Sequence, residues 1–284
     1  MEIRDTAKSA DGYELAVTRF PAEGRAWATL LIAGAMGVRQ DFYEPLARFL
    51  AENGLHVLTF DYRGMGASRP AVLRGFEATV TIWAENDLDA MLRESRAMGP
   101  DLPAFAIGHS LGGQLFGAVS QGARLAAFVT VTAGSGWYRH NERMPMRVRF
   151  FWFVAIPLLT PVFGYFPGRR LGMVGDLPAG VAWQWRRWAT HRDYLLSEGE
   201  AMRRRFDAVK APVLGYSFAD DAMLTKRSID ELHGNYRNAR VERRHVVPRE
   251  AGRDRIGHLG YFAPESRENL WRDTLAWLRG KAAT

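Results

Sequence analysis

"AFAIGHSLGGQLFGA" (residues 104–118) places Ser110 between Gly108-His109 and Leu111-Gly112. The stretch before the serine, "AFAIG", is a short apolar run of the kind a buried strand has. From Ser110 to Gln121 the pattern turns helical. A strand that breaks at a serine and continues as a helix forces that serine into a strained turn and exposes its hydroxyl. Glycines at 108 and 112 leave room for neighbouring chain to pass close by. The start of the helix also aims backbone N–H groups at any oxyanion formed there. Ser110 is therefore the candidate nucleophile. A base, an orienting acid and two oxyanion donors must be found elsewhere.

Outward from this point, the first 134 residues alternate between two periods. Residues 13–20, 28–34, 56–64, 104–108 and 125–134 read as strands. Residues 41–53, 81–98 and 110–121 read as helices, the first stopped by Gly54 and the second by Gly99-Pro100. The alternation returns after Arg205. "APVLGYSF" reads as a strand, 224–233 as a helix, "ARVERRHVV" as a strand and 266–279 as a closing helix. Strand–helix alternation predicts an α/β fold with a mostly parallel sheet flanked by helices. The predicted core is 1–134 and 206–284, and 135–205 is a mainly helical insertion.

The insertion differs in composition. It holds five of the nine tryptophans and twelve arginines against five acidic residues. The rest of the chain has 26 residues of each sign, so the whole net charge of +7 sits in the insertion. Within it, "FFWFVAIPLLTPVFGYF" (150–166) is apolar but interrupted by Pro157, Pro161 and Gly164. It falls short of the roughly 20 residues a membrane span needs, and reads as buried helices kinked at the prolines. The flanking Trp and Arg leave contact with a lipid surface as the other expectation.

The base should lie in a loop beyond the last strand. Of seven histidines, His258 in "RIGHLGYF" fits, because it sits in a glycine-flanked loop before the closing helix. The acid should lie in the loop after "APVLGYSF", which offers Asp220 and Asp221 in "ADDAML". Asp221 is favoured, which leaves Asp220 as the alternative acid or a helix N-cap. The first oxyanion donor is the N–H of Leu111, next to the nucleophile. The second comes from "AGAMG", with Ala35 ahead of Met36. Met36, His109, Trp137 and Trp152 are candidate pocket residues. No metal cluster, dinucleotide fingerprint or nucleic-acid motif stands out.

Together "LLIAGAMG", "FDYRGMGAS", "GHSLGG", "SFADDAML" and "GHLGYF" resemble the α/β-hydrolase superfamily over nearly the whole chain. Within it the chain is similar to the serine aminopeptidase-like (S33-type) and monoglyceride-lipase-like hydrolases. Such proteins commonly carry His-Gly where this chain has Ala33-Gly34. The resemblance implies that 135–205 is a cap over the site. It also implies a serine hydrolase that cleaves carboxylic esters without a cofactor, with an apolar group under the cap. A serine rather than an aspartate at 110 argues against the dehalogenase and epoxide hydrolase branches. Thioester or amide hydrolysis and acyl transfer could use the same three residues, and a non-catalytic binding protein is the alternative of another class. The basic, aromatic cap suggests weak contact with a membrane surface or anionic substrates. The chain has no cysteine, and "MEIRDTAKSADGYELAV" is charged from its second residue and has no apolar stretch, so a cytoplasmic location is expected.

Overall fold

The computed structural model describes residues 2–282. Eight strands form the main sheet in the order β1-β2-β4-β3-β5-β6-β9-β10. They are β1 (Ile3–Lys8), β2 (Glu14–Phe20), β3 (Ala28–Ala33), β4 (Leu55–Phe60), β5 (Ala104–His109), β6 (Ala127–Val131), β9 (Val213–Phe218) and β10 (Val241–Val246). Only β2 runs against its neighbours; the β4-β3-β5-β6-β9-β10 pairs are all parallel. The central strands β3, β5, β6 and β9 are buried along their whole length, as parallel strands covered on both faces must be. β1 escapes the apolar pattern because five of its six residues are exposed.

Helices cover both faces. α1 (Glu44–Glu52), α2 (Val80–Ile82) with α3 (Asp89–Ala97), α9 (Lys226–His233) and α10 (Arg272–Ala282) belong to the core. The helix expected over 110–121 is only α4 (Leu111–Gln114), followed by tighter turns over Leu115–Ala118 and Ser120–Arg124. Val119 is extended between those turns. A Cβ on Gly117 would come within 2.5 Å of the Phe206 ring, so the chain is pinned closely here.

Between β6 and β9 lie α5 (Pro145–Phe150), α6 (Ile156–Phe163), the short pair β7 (Tyr165–Phe166) and β8 (Leu177–Pro178), α7 (Ala179–Thr190) and α8 (Glu200–Ala208). The boundary expected at 205 falls inside α8, whose Met202 and Phe206 are buried while Arg203 and Arg204 face out. This segment is tied to the core by polar contacts. Gln184 Oε1 accepts the Thr81 N–H at 3.0 Å, and Arg69 pairs with Asp176 at 2.8 Å.

The expectation of buried, proline-broken helices over 150–166 is corrected. α5 and α6 join through a wide turn over Phe151–Ala155 into one helix, Pro145–Phe163. The wide turn precedes Pro157, which lacks the N–H an α-helix would need there. The helix is mostly exposed: Met146 is 73 %, Leu158 62 % and Val162 66 % accessible. By length and composition alone it could cross a membrane.

One buried ionic cluster locks the β4 loop. Arg63 pairs with Asp87 at 2.6 Å and Asp11 at 2.7 Å. Burial lifts the Asp87 carboxyl to about 6 against the pull of Arg63, while the more exposed Asp11 is held well below the carboxylate range. Removing the cation leaves Asp87 buried and uncompensated. Arg63→Met is expected to cost about 3–5 kcal/mol in denaturant unfolding. A loss under about 1 kcal/mol would contradict this account.

Candidate active site

Ser110 sits directly after β5 with φ 50° and ψ −115°, a conformation that costs a side-chain-bearing residue energy. It persists because the surroundings leave the chain no other path. A Cβ on Gly108 would lie 2.4 Å from Gly113 N, and one on Gly112 would lie 2.3 Å from Ala33 O. The Ser110 N–H donates to Val131 O at 2.9 Å, which ties the turn to the end of β6.

Asp221 and His258 meet beside this turn. His258 Nδ1 lies 2.9 Å from Asp221 Oδ2. Asp221 Oδ1 accepts N–H groups from Met223 and Leu224 at 2.7 and 3.2 Å, so the buried carboxylate is fully held. It therefore accepts a hydrogen bond from His258 Nδ1–H, which leaves the Nε2 lone pair free. His258 and Ser110 both line one cavity. Ser110 Oγ and His258 Nε2 make no hydrogen bond among the described residues. Such bonds often close only when substrate arrives.

Asp220 does different work. Its carboxylate accepts the N–H groups of Ile256 and Gly257 at 2.9 Å each, so it anchors the loop that carries His258. It neither touches the imidazole nor caps α9, whose cap is Thr225, accepting from Ser228 N–H.

His109 is also reassigned. It is fully buried and does not line the cavity. Burial holds its imidazole well below the ordinary value, so it is neutral. The Tyr43 hydroxyl lies 2.9 Å from His109 Nδ1, and the Ala35 N–H donates to that hydroxyl at 2.8 Å. With its oxygen accepting from Ala35, the hydroxyl donates a hydrogen bond to Nδ1. His109 Nε2–H then donates to His258 O at 3.0 Å. One buried relay thus joins the β3 loop, the serine turn and the histidine loop.

This relay overturns the first choice of second oxyanion donor. The Ala35 N–H is taken by Tyr43, whereas the N–H groups of Met36 and Leu111 have no partner among the described residues. Of the expected pocket residues, Trp137 and Trp152 line the cavity; the Met36 side chain and His109 do not. Sequence reasoning missed Gln114, Tyr194 and Met223, which do line it. The cavity holds about 390 Å³ and is walled largely by the 135–208 segment, whose Trp137, Tyr138, Phe151, Trp152, Trp185 and Tyr194 line it.

The architecture defines the class of fold: the chain has the α/β-hydrolase fold. A family model described as "Serine aminopeptidase, S33" matches residues 24–159. Among solved structures it is similar to a soluble variant of monoglyceride lipase from Saccharomyces cerevisiae (16 % identity, 99 % of this chain and 96 % of that one, TM-score 0.73). It is likewise similar to a thermostable carboxyl esterase from Bacillus coagulans (12 %, 99 % of each chain, TM-score 0.67). A third likeness is to a bacterial membrane phospholipase A (18 %, 99 % of this chain and 86 % of that one, TM-score 0.59). No curated protein matches the sequence.

Tyr43→Phe removes the hydroxyl that joins Ala35 to His109. It is expected to cost about 1–3 kcal/mol, because two buried groups lose their partner. The Ala35 amide should also exchange with solvent faster. Unchanged stability and exchange would contradict the relay.

Proposed function

We propose that this protein is a serine hydrolase of carboxylic esters. One observation carries the reading: a serine in a strained strand–helix turn and a histidine oriented by a buried carboxylate open onto the same apolar cavity. In the proposed reaction His258 Nε2 takes the proton of Ser110 Oγ as that oxygen attacks the acyl carbon. Asp221 holds the imidazole tautomer and stabilises the imidazolium. The N–H groups of Leu111 and Met36 receive the oxyanion. The proton passes from His258 to the leaving alcohol, and the acyl group stays on Ser110. Water, deprotonated by His258, then releases the acid. The 135–208 segment acts as a cap whose Trp137, Trp152 and Trp185 receive an apolar part of the substrate. The family match and the esterase and lipase likenesses support hydrolysis as the general chemistry.

Short activated esters are the test substrates. Wild type is expected to hydrolyse them. Ser110→Ala and His258→Ala should each lose about 10⁴-fold or more in kcat, and Asp221→Asn about 10³-fold or more. Asp220→Asn should lose stability rather than a comparable rate. Full activity in Ser110→Ala would defeat the reading.

We also propose that helix Pro145–Phe163 rests on anionic lipid. Its outer face exposes Met146, Phe150, Phe153, Leu158 and Val162, and its inner face lines the cavity through Val148, Phe151 and Trp152. Arg147 and Arg149 lie on the same helix, and the Arg186 guanidinium stands over Phe153. An apolar strip edged by arginines matches the boundary between acyl chains and anionic headgroups. The protein should sediment with phosphatidylglycerol vesicles, less so at high salt and less with pure phosphatidylcholine. Phe150→Glu/Leu158→Glu should abolish this. Retained binding in that variant would refute the surface.

A further inference from the structure

The cavity wall contains polar atoms that the proposed reaction does not use. Gln114 lies one turn after Ser110, is only 3 % exposed and lines the cavity. Its side chain is held in a fixed direction. The Trp185 Nε1–H donates to the Tyr194 hydroxyl at 3.1 Å. An indole nitrogen can only donate, so the hydroxyl accepts there and must send its own proton elsewhere. That proton goes to Gln114 Oε1, 2.9 Å away. With Oε1 committed, the two N–H groups of Gln114 Nε2 remain without a protein partner among the described residues.

Two further observations point the same way. Tyr194, a bulky residue, has φ 49°, a strained backbone that aims its hydroxyl at Gln114. Ser135, after β6, is 4 % exposed and lines the same cavity; its Oγ is buried without a hydrogen-bond partner and meets a ligand by rotation about its Cα–Cβ bond. A buried hydroxyl left unpaired is a standing cost to the fold unless something fills its place. Neither Gln114 nor Ser135 carries charge, so the pair suits a neutral acceptor.

We infer that Gln114 Nε2 and Ser135 Oγ form a polar subsite inside the aromatic cavity, which selects esters whose buried chain carries a neutral oxygen acceptor such as an ether, ketone or hydroxyl oxygen. This rests on the ester-hydrolase reading for the site itself. Gln114 is the specificity residue, and Tyr194 is a positioning residue that acts through it.

The test compares pairs in which one CH₂ becomes O. Phenyl pentanoate against phenyl 3-methoxypropanoate places the oxygen in the acyl chain. Butyl butanoate against 2-methoxyethyl butanoate places it in the alcohol. Binding is read by quenching of the cavity tryptophans in the Ser110→Ala background, so that esters stay intact. The background should bind the oxygen-containing member of one pair more tightly than its hydrocarbon partner, and the pair concerned tells which chain enters the subsite. Adding Gln114→Met should cut that preference about tenfold, and adding Tyr194→Phe should cut it in the same direction while Gln114 is still present. Preferences unchanged by both substitutions in both pairs would overturn the inference. A preserved preference in a wild type that hydrolyses none of these esters would leave the subsite standing and defeat the hydrolase reading instead.

Discussion

Everything at this site depends on the tight passage of backbone around Ser110. The serine takes φ 50° because β5 ends against β3 and α4 starts at once. Gly108, Gly112 and Gly113 let the crossing chains approach to distances no Cβ allows. The strain is held by the sheet itself, through the bond from Ser110 N–H to Val131 O. Without that passage the hydroxyl would not stand at the carboxyl edge of the sheet. His258 and Asp221 would then have nothing to face.

The second constraint is how three loops from distant parts of the chain keep register. Ala35, Tyr43, His109 and the His258 carbonyl form one buried chain of hydrogen bonds. Asp220 adds a second tie by holding the backbone at Ile256 and Gly257. Two neighbouring aspartates therefore divide the labour: one orients the imidazole and the other sets the loop beneath it. A neutral His109 suits this interior, since a charged ring would lose the acceptor nitrogen that the Tyr43 proton requires.

The sequence carried the core well because its physics is local. Continuous apolar runs ending in glycine marked β3 and β5, and the order of Ser110, Asp221 and His258 followed from loops at the strand ends. Three features needed the folded chain. Nothing in "AGAMG" tells that a tyrosine eight residues later takes the Ala35 N–H, so the Met36 N–H was undervalued. Composition cannot tell an apolar helix facing inward from one facing out, and Phe150, Phe153, Val154, Leu158 and Val162 proved exposed. Gln114 looked like one more helical residue. Its meaning comes from Tyr194, eighty positions away. β1 was invisible because an exposed edge strand has no apolar alternation to read.

The central claim is that Ser110 carries the acyl group. The most direct measurement is mass spectrometry of enzyme quenched in acid milliseconds after mixing with an activated ester. The account predicts the acyl mass on the peptide containing Ser110, and no such adduct when His258 is replaced by alanine. Turnover with no adduct at Ser110, or with the acyl group on another residue, would contradict it.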